Sequence, residues 1–583
     1  MTGATPLAGR PENSPAFSSV TARLDHLDEL FGDPWDDANP VGFAALLQAD
    51  ERAEPSPDAE KVLDAYCLNA EFVPADHGGR FHDMETFADI MRTVWRRDPC
   101  LGLGYGFSSF IAGVNVWAAG STDQRADVAE LLLSNRRVAS AYHELAHGND
   151  FSRAEFSARR SGREWVLNGR KEVITNLYRA DALVLFARTD EALGSRSHSQ
   201  FLVPRDALTD DRIDFLPRFP SSGMRGVNLG GAVFSDCRLP EKALLGREGS
   251  GIETALRSFQ LTRLALPAMG IGIVDTGLRT ALACGLDRRL YGRRVAEIPP
   301  VRSTLAGVFA DLLMADAFCR VVARQLRVAP DQTPVTASAV KYLVSRLLID
   351  AMDELRGVIG ARAYLRQGPY GIFQKLARDL APAGFGHASR AACQVTILPH
   401  LPRLARRSWF SDGPAPEALF GPSSPVPARV DFTSLLPGGT RTDNLSGTLV
   451  TLAAELAGPP GRLARRFREE LAGLRRECAE MPPADLTIDA SPAAYDLAAR
   501  YTAVLAAAAC LGTWWHARNA GVAFLAEEAW LCAALDRLAA RMPGGRVLTH
   551  EERAESEQAL FEQSLRRHEE RRLFDLTARA IPG

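Results

Sequence analysis

Apolar side chains recur at helical spacing in the first part of the chain. Phe87, Ile90, Met91 and Val94 repeat every three or four residues, which is the period of one helix face. The pattern predicts an α-helical domain over residues 21–136. The preceding residues 1–20 are polar and rich in Pro, Ser and Gly, which is typical of a disordered leader.

The apolar period changes after residue 136. Trp165-Val166-Leu167 and Val173-Ile174-Thr175 are short apolar runs around Asn168-Gly169, a dipeptide that favours a tight hairpin turn. The sequence therefore predicts strand, turn and strand in this segment. Similar runs continue to Arg238-Leu239-Pro240, so we expect a β-domain over residues 137–250.

Long amphipathic patterns return after the β-domain. Leu305 to Leu326 and Ala337 to Ile359 are two of them, and they predict a helical bundle over residues 251–412. The proline-rich residues 413–440 are typical of a linker, and residues 441–583 form a further helical domain. There Trp514-Trp515 indicates a buried anchor. The order of helices, strands and helices predicts an α+β fold.

Composition excludes several classes of protein. Among 583 residues, 68 Lys and Arg nearly balance 71 Asp and Glu, so nothing favours nucleic acid as the partner. The nine cysteines are scattered without a C-x-x-C pair or metal-ligand spacing, and no metal is expected. The chain lacks a signal-like start and a long uncharged apolar run. We expect a soluble cytoplasmic protein without a membrane partner.

Six short motifs follow one another between residues 73 and 293. They are VPADHGG at 73–79, HELAHGND at 143–150, NGRKEVITN at 168–176, GMRG at 223–226, VFSDCRLP at 233–240 and LYGR at 290–293. In order and spacing they resemble motifs of the acyl-CoA dehydrogenase superfamily. The resemblance implies an N-terminal helical domain, a central β-barrel or sandwich domain, a four-helix-bundle domain and an additional C-terminal helical domain. The chain is identified as a divergent member with this extension.

The resemblance also implies FAD as cofactor and an acyl thioester as substrate. In the family an α-proton leaves while the β-hydrogen goes as hydride to the flavin, whose chemistry the cofactor itself carries. The implied cofactor-binding residues are Tyr142, His143, Val173, Thr175, Arg288, Gly360 and Ala361, of which Arg288 serves a neighbouring subunit. The implied substrate-binding residues are Asn149, Thr262 and Arg263. Because Arg263 lies between apolar residues, its buried charge would need a partner.

One position departs from the family in a way that decides the chemistry. Counting from Arg378-Asp379 by the family spacing reaches His387, where the family has its glutamate base. The alternative base position on the earlier helix is occupied by Thr262, which cannot accept a proton in this role. Histidine has an ordinary pKa of ~6.5 and accepts protons near neutral pH, so His387 is the candidate catalytic base.

Three functions remain open at this point. The first is an FAD-dependent oxidation of an acyl thioester, bound to CoA or to an acyl carrier protein, at Cα–Cβ. The second is a flavin-dependent monooxygenase on the same fold, because His143 and His387 both map near the flavin ring. The third is a non-catalytic subunit of a heteromeric acyl-CoA dehydrogenase. The extension resembles the one in larger members of the family and implies a homodimer, whereas the electron acceptor or flavin reductase stays open.

Overall fold

The structure is a computed structural model that describes residues 17, 19–192, 194–207, 210–421, 426–427 and 429–582. The predicted leader, residues 1–20, lies outside the described residues except for Phe17, Ser19 and Val20. Part of the predicted linker also lies outside them.

The described chain alternates between helical and β-rich segments. In chain order its α-helices, α1 to α18, are Val20–Phe31, Phe43–Glu51, Pro57–Tyr66, Met84–Arg97, Pro99–Gly102, Ser108–Ala119, Thr122–Leu133, Gly251–Asp287, Pro299–Val328, Thr333–Ile359, Ile372–Asp379, Arg390–Ile397, Leu401–Arg407, Asn444–Glu455, Gly458–Ala479, Pro492–Asn519, Glu528–Ala539 and His550–Glu569. Its strands, β1 to β10, are Val138–Ala141, Ser157–Ser161, Glu164–Thr175, Ala182–Arg188, His198–Pro204, Ile213–Leu216, Leu229–Pro240, Leu244–Leu245, Arg289–Leu290 and Arg293–Arg294. The predicted α+β fold with additional C-terminal helices is confirmed.

The strands β1 to β8 form one mixed sheet between the helical segments. Its order is β6-β7-β3-β2-β4-β5-β8, and β1 runs parallel to β4 at one side. One face carries a small hydrophobic core of its own, in which Trp165 packs edge-on against Phe201 at 5.1 Å between ring centroids. The sheet is therefore a rigid support for the residues that follow β1 and end β3.

The predicted turn at Asn168-Gly169 is wrong. Strand β3 runs straight through these residues, and the turn before it is at Gly162, whose φ is +63°. Asn168 instead exchanges hydrogen bonds with Asp236 on β7, and the register between β3 and β7 shifts between Leu167 and Gly169. Pairing with a second long strand outweighs the local turn preference, so the dipeptide forms a β-bulge.

The C-terminal helices pack on the bundle formed by α8, α9 and α10. Helices α16, α17 and α18 all contact α9, and α16 also contacts α10. Trp514 in α16 is fully buried, whereas Trp515 is partly exposed. Two helices, α8 and α16, contain an apolar stretch long enough to cross a membrane, but that stretch is wholly buried in the protein in α8 and almost wholly buried in α16. Both therefore serve as core helices here.

Candidate active site

A cavity of about 510 Å³ lies where the sheet meets the helical segments. Its volume falls within the range of ~300–1,000 Å³ that small-molecule sites occupy. The residues predicted for the site that line it are Tyr142, His143, Asn149, Val173, Thr175 and His387. Three regions of the chain supply these side chains: the segment after β1, the end of β3 and a loop before α12.

The segment after β1 is held by a buried ion pair. Lys171 Nζ donates to Glu144 Oε1 at 2.8 Å and to the Tyr142 carbonyl at 3.1 Å. Glu144 also accepts the backbone N–H groups of Glu155 and Phe156, at 2.8 and 3.1 Å. Burial lowers the pKa of Lys171 to about 8, although Glu144 opposes this shift. The pair fixes Tyr142 and His143 at the cavity wall.

The two aromatic residues of this segment have defined hydrogen bonds. Tyr142 donates its hydroxyl to Asn115 Oδ1 at 2.9 Å, and burial raises its pKa well above 10. His143 Nδ1 lies 3.0 Å from the carbonyl oxygen of Glu172. Since a carbonyl only accepts, Nδ1 carries the proton, and Nε2 of the neutral ring is left as an acceptor at the cavity.

The end of β3 is strained where it meets the cavity. Val173 has a φ of +56°, a left-handed conformation that a β-branched side chain rarely adopts, and the β3–β7 register shifts between Lys171 and Ile174. Strain of this kind concentrates at binding sites. The bulge presents both Val173 and Thr175 to the cavity, and the Thr175 hydroxyl makes no hydrogen bond with the described residues.

One side of the cavity is tied to a cluster of paired charges, which we call the acid-paired cluster. It consists of Lys375, Asp98, Asp379, Arg378 and Asp50. Lys375 donates to Asp98 at 2.5 Å and to Asp379 at 2.8 Å, while Arg378 bridges Asp379 and Asp50 at 2.9 and 2.6 Å. The carboxylates outweigh the effect of burial and raise the pKa of Lys375.

The acid-paired cluster also holds the loop at residues 221–224. Asp379 accepts the backbone N–H of Met224 at 2.6 Å, and Met224 has a φ of +48°. Residues 221–224 and Arg378 line the cavity. The motif Gly223-Met224 and the pair Arg378-Asp379, far apart in sequence, thus build one wall.

His387 lies on the loop between a 3₁₀ turn at Ala381–Gly384 and α12. Its φ is +64°, and a Cβ on the preceding Gly386 would lie 2.9 Å from the Pro382 carbonyl, so this loop needs glycine there. Ser389 caps α12 by accepting the N–H of Ala392 at 3.2 Å. His387 lines the cavity and makes no hydrogen bond with the described residues. Its ring meets Phe259 edge-on at 6.0 Å.

Two buried cations lie next to His387, and we call them the unpaired cations. Arg263 Nη1 donates to the hydroxyls of Ser338 and Thr396 at 3.0 and 3.1 Å, and Lys341 Nζ donates to the Ala383 carbonyl at 2.6 Å. Burial lowers the pKa of Arg263, and it lowers that of Lys341 to about 7. Burial and these two cations lower the pKa of His387 to about 3.

Other predicted site residues lie away from the cavity. Thr262 is buried inside α8, with its hydroxyl 3.5 Å from the Phe259 carbonyl of its own helix. Arg288 caps the C-terminus of α8, and its guanidinium lies beside Gly360, whose φ is +66°. Ala361 is exposed next to Gly360. These last three form a separate surface region.

Two residues that shape the site are not predicted from the sequence. Phe259 lines the cavity and stacks under the Arg263 guanidinium at 5.4 Å from its ring centroid. Its spacing of four residues from Arg263 on one helix is a signal that could have found it. Lys341 was missed because its approach to His387 joins α10 to a loop beyond residue 380, and no local pattern carries that contact.

Family models match the two segments that build this cavity. The model for the middle domain of acyl-CoA dehydrogenases matches residues 139–237, and the model for their C-terminal domain matches residues 249–386. The chain therefore contains the middle and C-terminal domains of the acyl-CoA dehydrogenase superfamily. Members of this superfamily are FAD-dependent oxidoreductases, so these are the domains of an enzyme of that type with FAD as its cofactor. Residue 387, with its departure from the family, lies just past the second match.

Individual relatives agree with the family match. The human mitochondrial short-chain specific acyl-CoA dehydrogenase is 26% identical over 313 residues, which are 53% of this chain and 74% of the relative. Butyryl-CoA dehydrogenase from Megasphaera elsdenii has a TM-score of 0.58 at 17% identity, over 65% of this chain and 96% of its own. The prolyl acyl carrier protein oxidase AnaB has a TM-score of 0.56 at 20% identity, over 61% and 93%. The two structures support the fold.

The cavity is chemically suited to the flavin part of FAD. It combines apolar walls with the unbonded Thr175 hydroxyl and the His143 acceptor nitrogen, which are groups that a polar heterocycle can use. Arg288 and the left-handed Gly360 together offer a cation and a close backbone approach, as a pyrophosphate group needs. The donor set therefore fits the cofactor of the family.

Proposed function

We propose that the chain oxidises an acyl thioester between Cα and Cβ and that His387 accepts the α-proton. One observation carries this proposal. Among the titratable side chains lining the cavity, Tyr142 bonds to Asn115, His143 to Glu172 and Arg378 to the acid-paired cluster, while the imidazole of His387 has no hydrogen bond within the described residues. It is thus available to a substrate.

The residues of the cavity have separable roles in this proposal. Bound FAD would supply the acceptor for the β-hydride. Tyr142, His143, Val173 and Thr175 would hold its ring system, and Asn149 at the exposed edge of the cavity would meet the thioester. His387 is neutral at physiological pH because of its low pKa, so a ring nitrogen is free to accept the proton, but the same low pKa makes it a weak base while no anion lies beside it. Its protonated form then lies close to Lys341 and Arg263 and needs a nearby negative charge.

Anaerobic flavin bleaching tests the proposal. The purified protein with FAD is mixed with a series of acyl thioesters, and loss of flavin absorbance is followed. We expect bleaching in the wild type and a loss of at least ~100-fold in rate for His387→Ala, which is typical for removing a general base. His387→Glu should recover part of that rate, because it restores a carboxylate at this position.

The matched control is His550→Ala, which removes an exposed histidine at the start of α18. It should bleach like the wild type. Unchanged bleaching in His387→Ala, with FAD still bound, would contradict the proposed role of this residue.

The carrier of the acyl group is tested in the same assay. The human relative is named for an acyl-CoA and the oxidase AnaB for an acyl carrier protein. We propose that the thioester is carried by one of these two. Comparing the bleaching rates for the same acyl group on CoA and on a carrier protein decides between them. A carrier that gives no bleaching at any concentration is excluded.

A second function is favoured by one feature of the cavity. His143 presents an acceptor nitrogen, and His387 lies on the same cavity, so two histidines could serve oxygen chemistry as in a flavin monooxygenase. This function predicts no bleaching by thioesters, but oxygen consumption after the flavin is reduced. Absence of both activities would favour a non-catalytic subunit of a heteromeric enzyme.

We further propose a homodimer in which each chain completes the cofactor site of the other. Tyr291 and Tyr364, near Arg288 and Gly360 in the sequence, are 92% and 79% exposed, and exposed aromatic side chains suit an interface, where they are enriched. The C-terminal helices already cover α9. We expect Tyr364→Lys to yield monomers with weakened FAD binding, measured by size-exclusion chromatography with light scattering. A monomeric wild type that retains FAD would refute this assembly.

A further inference from the structure

Arg263 and Lys341 are buried, at 6% and 1% exposure, and among the described residues neither has a carboxylate as partner. The partners of Arg263 are two neutral hydroxyls, and the partner of Lys341 is a carbonyl. In the part of the chain that the structure describes, Arg263 Nε makes no hydrogen bond. A buried charge that lacks an ionic partner costs several kcal/mol, so proteins rarely keep one without a use.

The neighbouring thiol does not supply the missing negative charge. Cys393 is the remaining ionisable group that acts on both cations, and burial raises its pKa, so the thiol stays protonated. His387 is a base and adds no negative charge in either protonation state. Three cationic or potentially cationic groups thus adjoin one another, with nothing described that neutralises them.

The unpaired cations lie directly behind one wall of the cavity. The Arg263 guanidinium lies 5.4 Å from the centre of the Phe259 ring, and its charge and that of Lys341 both act on His387. Phe259 and His387 line the cavity themselves. The wall between them ends in the loop 384–387, in which Gly384 and Gly386 flank the exposed Phe385. An anion held in the cavity therefore meets the field of both cations at this loop.

We propose that Arg263 and Lys341 recognise a carboxylate on the acyl group, so that the substrate is the monothioester of a dicarboxylic acid. This inference rests on the proposed function. Neither cation lines the cavity, so both act on the carboxylate through the cavity wall, as fixed positive charges that buried surroundings screen little. The remaining lining is mostly apolar, which suits the methylene chain between the thioester and the acid. The bound carboxylate also offsets the repulsion that protonated His387 would meet.

A matched pair of ligands tests the inference. The probes are glutaryl and pentanoyl thioesters of pantetheine, the group that CoA and carrier proteins share; the two differ only in the terminal carboxylate. Affinity is measured on the FAD-loaded protein by calorimetry, independently of turnover. We expect the glutaryl probe to bind about 30-fold more tightly, as for a buried charge pair of ~2 kcal/mol. Succinyl/butyryl and adipyl/hexanoyl pairs cover neighbouring chain lengths.

Variants identify the residues responsible. Lys341→Met and Arg263→Gln should each remove most of the preference for the carboxylate while leaving affinity for the pentanoyl probe within about 3-fold. The controls are Arg346→Gln on α10 and Arg257→Gln on α8, which are more exposed and pair with acids on their own helices. Both should keep the preference.

Four outcomes decide against the inference, and a fifth decides against the proposed function instead. Equal affinity for the two probes at every chain length overturns it, and so does a variant that weakens both probes alike, since that indicates a structural role. Displacement of the glutaryl probe by inorganic phosphate would indicate a general anion site instead. Bleaching by pentanoyl but not glutaryl thioester refutes the inference and leaves the proposed function intact. Tight glutaryl binding without bleaching by any thioester supports the inference and refutes the proposed function.

Discussion

The acid-paired cluster and the unpaired cations adjoin the same cavity and are built in opposite ways. In the first, Lys375 is enclosed by Asp98 and Asp379, and the carboxylates raise its pKa. In the second, Lys341 is just as buried but has a carbonyl as its partner, and its pKa falls to about 7. The two lysines are equally buried and differ in their partners. The charge of Lys375 is neutralised within the fold, whereas the charge of Lys341 is available to a ligand.

Removing the enclosed lysine should have the largest effect. Lys375→Met leaves Asp98 and Asp379 buried without their shared cation, and we expect the free energy of unfolding to fall by about 3–5 kcal/mol. Asp379 would also hold the Met224 loop less firmly, so FAD affinity should fall. Urea unfolding followed by circular dichroism measures the first effect. A loss below ~1 kcal/mol would mean that the ion pairs of the acid-paired cluster do not stabilise the fold.

The same substitution at the other lysine should act in the opposite direction. Lys341→Met removes a buried cation that has no counter-ion among the described residues, so the ligand-free protein should become more stable by about 2 kcal/mol near pH 6. The folded pKa of about 7 lies below the ordinary 10.5, so the unfolded chain binds more protons between these values. The penalty in the wild type is thus full below pH 7 and disappears as the pH rises toward 10.5.

Unfolding experiments across pH 6–10 check this sign. The gain from Lys341→Met should shrink as the pH rises. A variant that is less stable than the wild type at pH 6 would show that Lys341 has a stabilising ionic partner within the fold.

A carboxylate at residue 387 should give the unpaired cations a counter-ion of the kind that the acid-paired cluster already has. His387→Glu puts a negative charge beside Lys341 and Arg263, and we expect the variant to be more stable than the wild type by about 1 kcal/mol. The effect should depend on Lys341. A double-mutant cycle of His387→Glu and Lys341→Met measures this coupling, expected at roughly 1 kcal/mol or more. Additive effects would place the two side chains too far apart to interact.

The sequence predicted the fold and much of the cavity, but not this contrast. Order and spacing of local motifs carried the fold and brought Tyr142, His143, Thr175 and His387 into consideration, because each follows a recognisable strand or helix. The bulge at Asn168-Gly169 was mistaken for a turn because pairing with β7 is a long-range effect. The charge environment of His387 was not predictable, since Lys341 reaches it from another helix and the absence of a carboxylate is a property of the assembled core.

The smallest expected effect comes from a partly exposed cation on the helix that carries Arg263. Arg257 pairs with Glu253 one turn away at 2.6 Å, and the two side chains are 29% and 39% exposed to solvent. Water screens such a pair, so Arg257→Gln should change the free energy of unfolding by less than ~0.5 kcal/mol at any pH between 6 and 10. The measurement is the same urea titration used for the lysine variants. If Arg257→Gln instead changed stability as much as Lys341→Met, loss of any positive charge from this bundle would suffice, and burial without a counter-ion would not be the cause. If Arg257→Gln leaves the free energy of unfolding unchanged, the opposite effects at Lys375 and Lys341 follow from their buried surroundings, because a partly exposed charge then contributes little to stability.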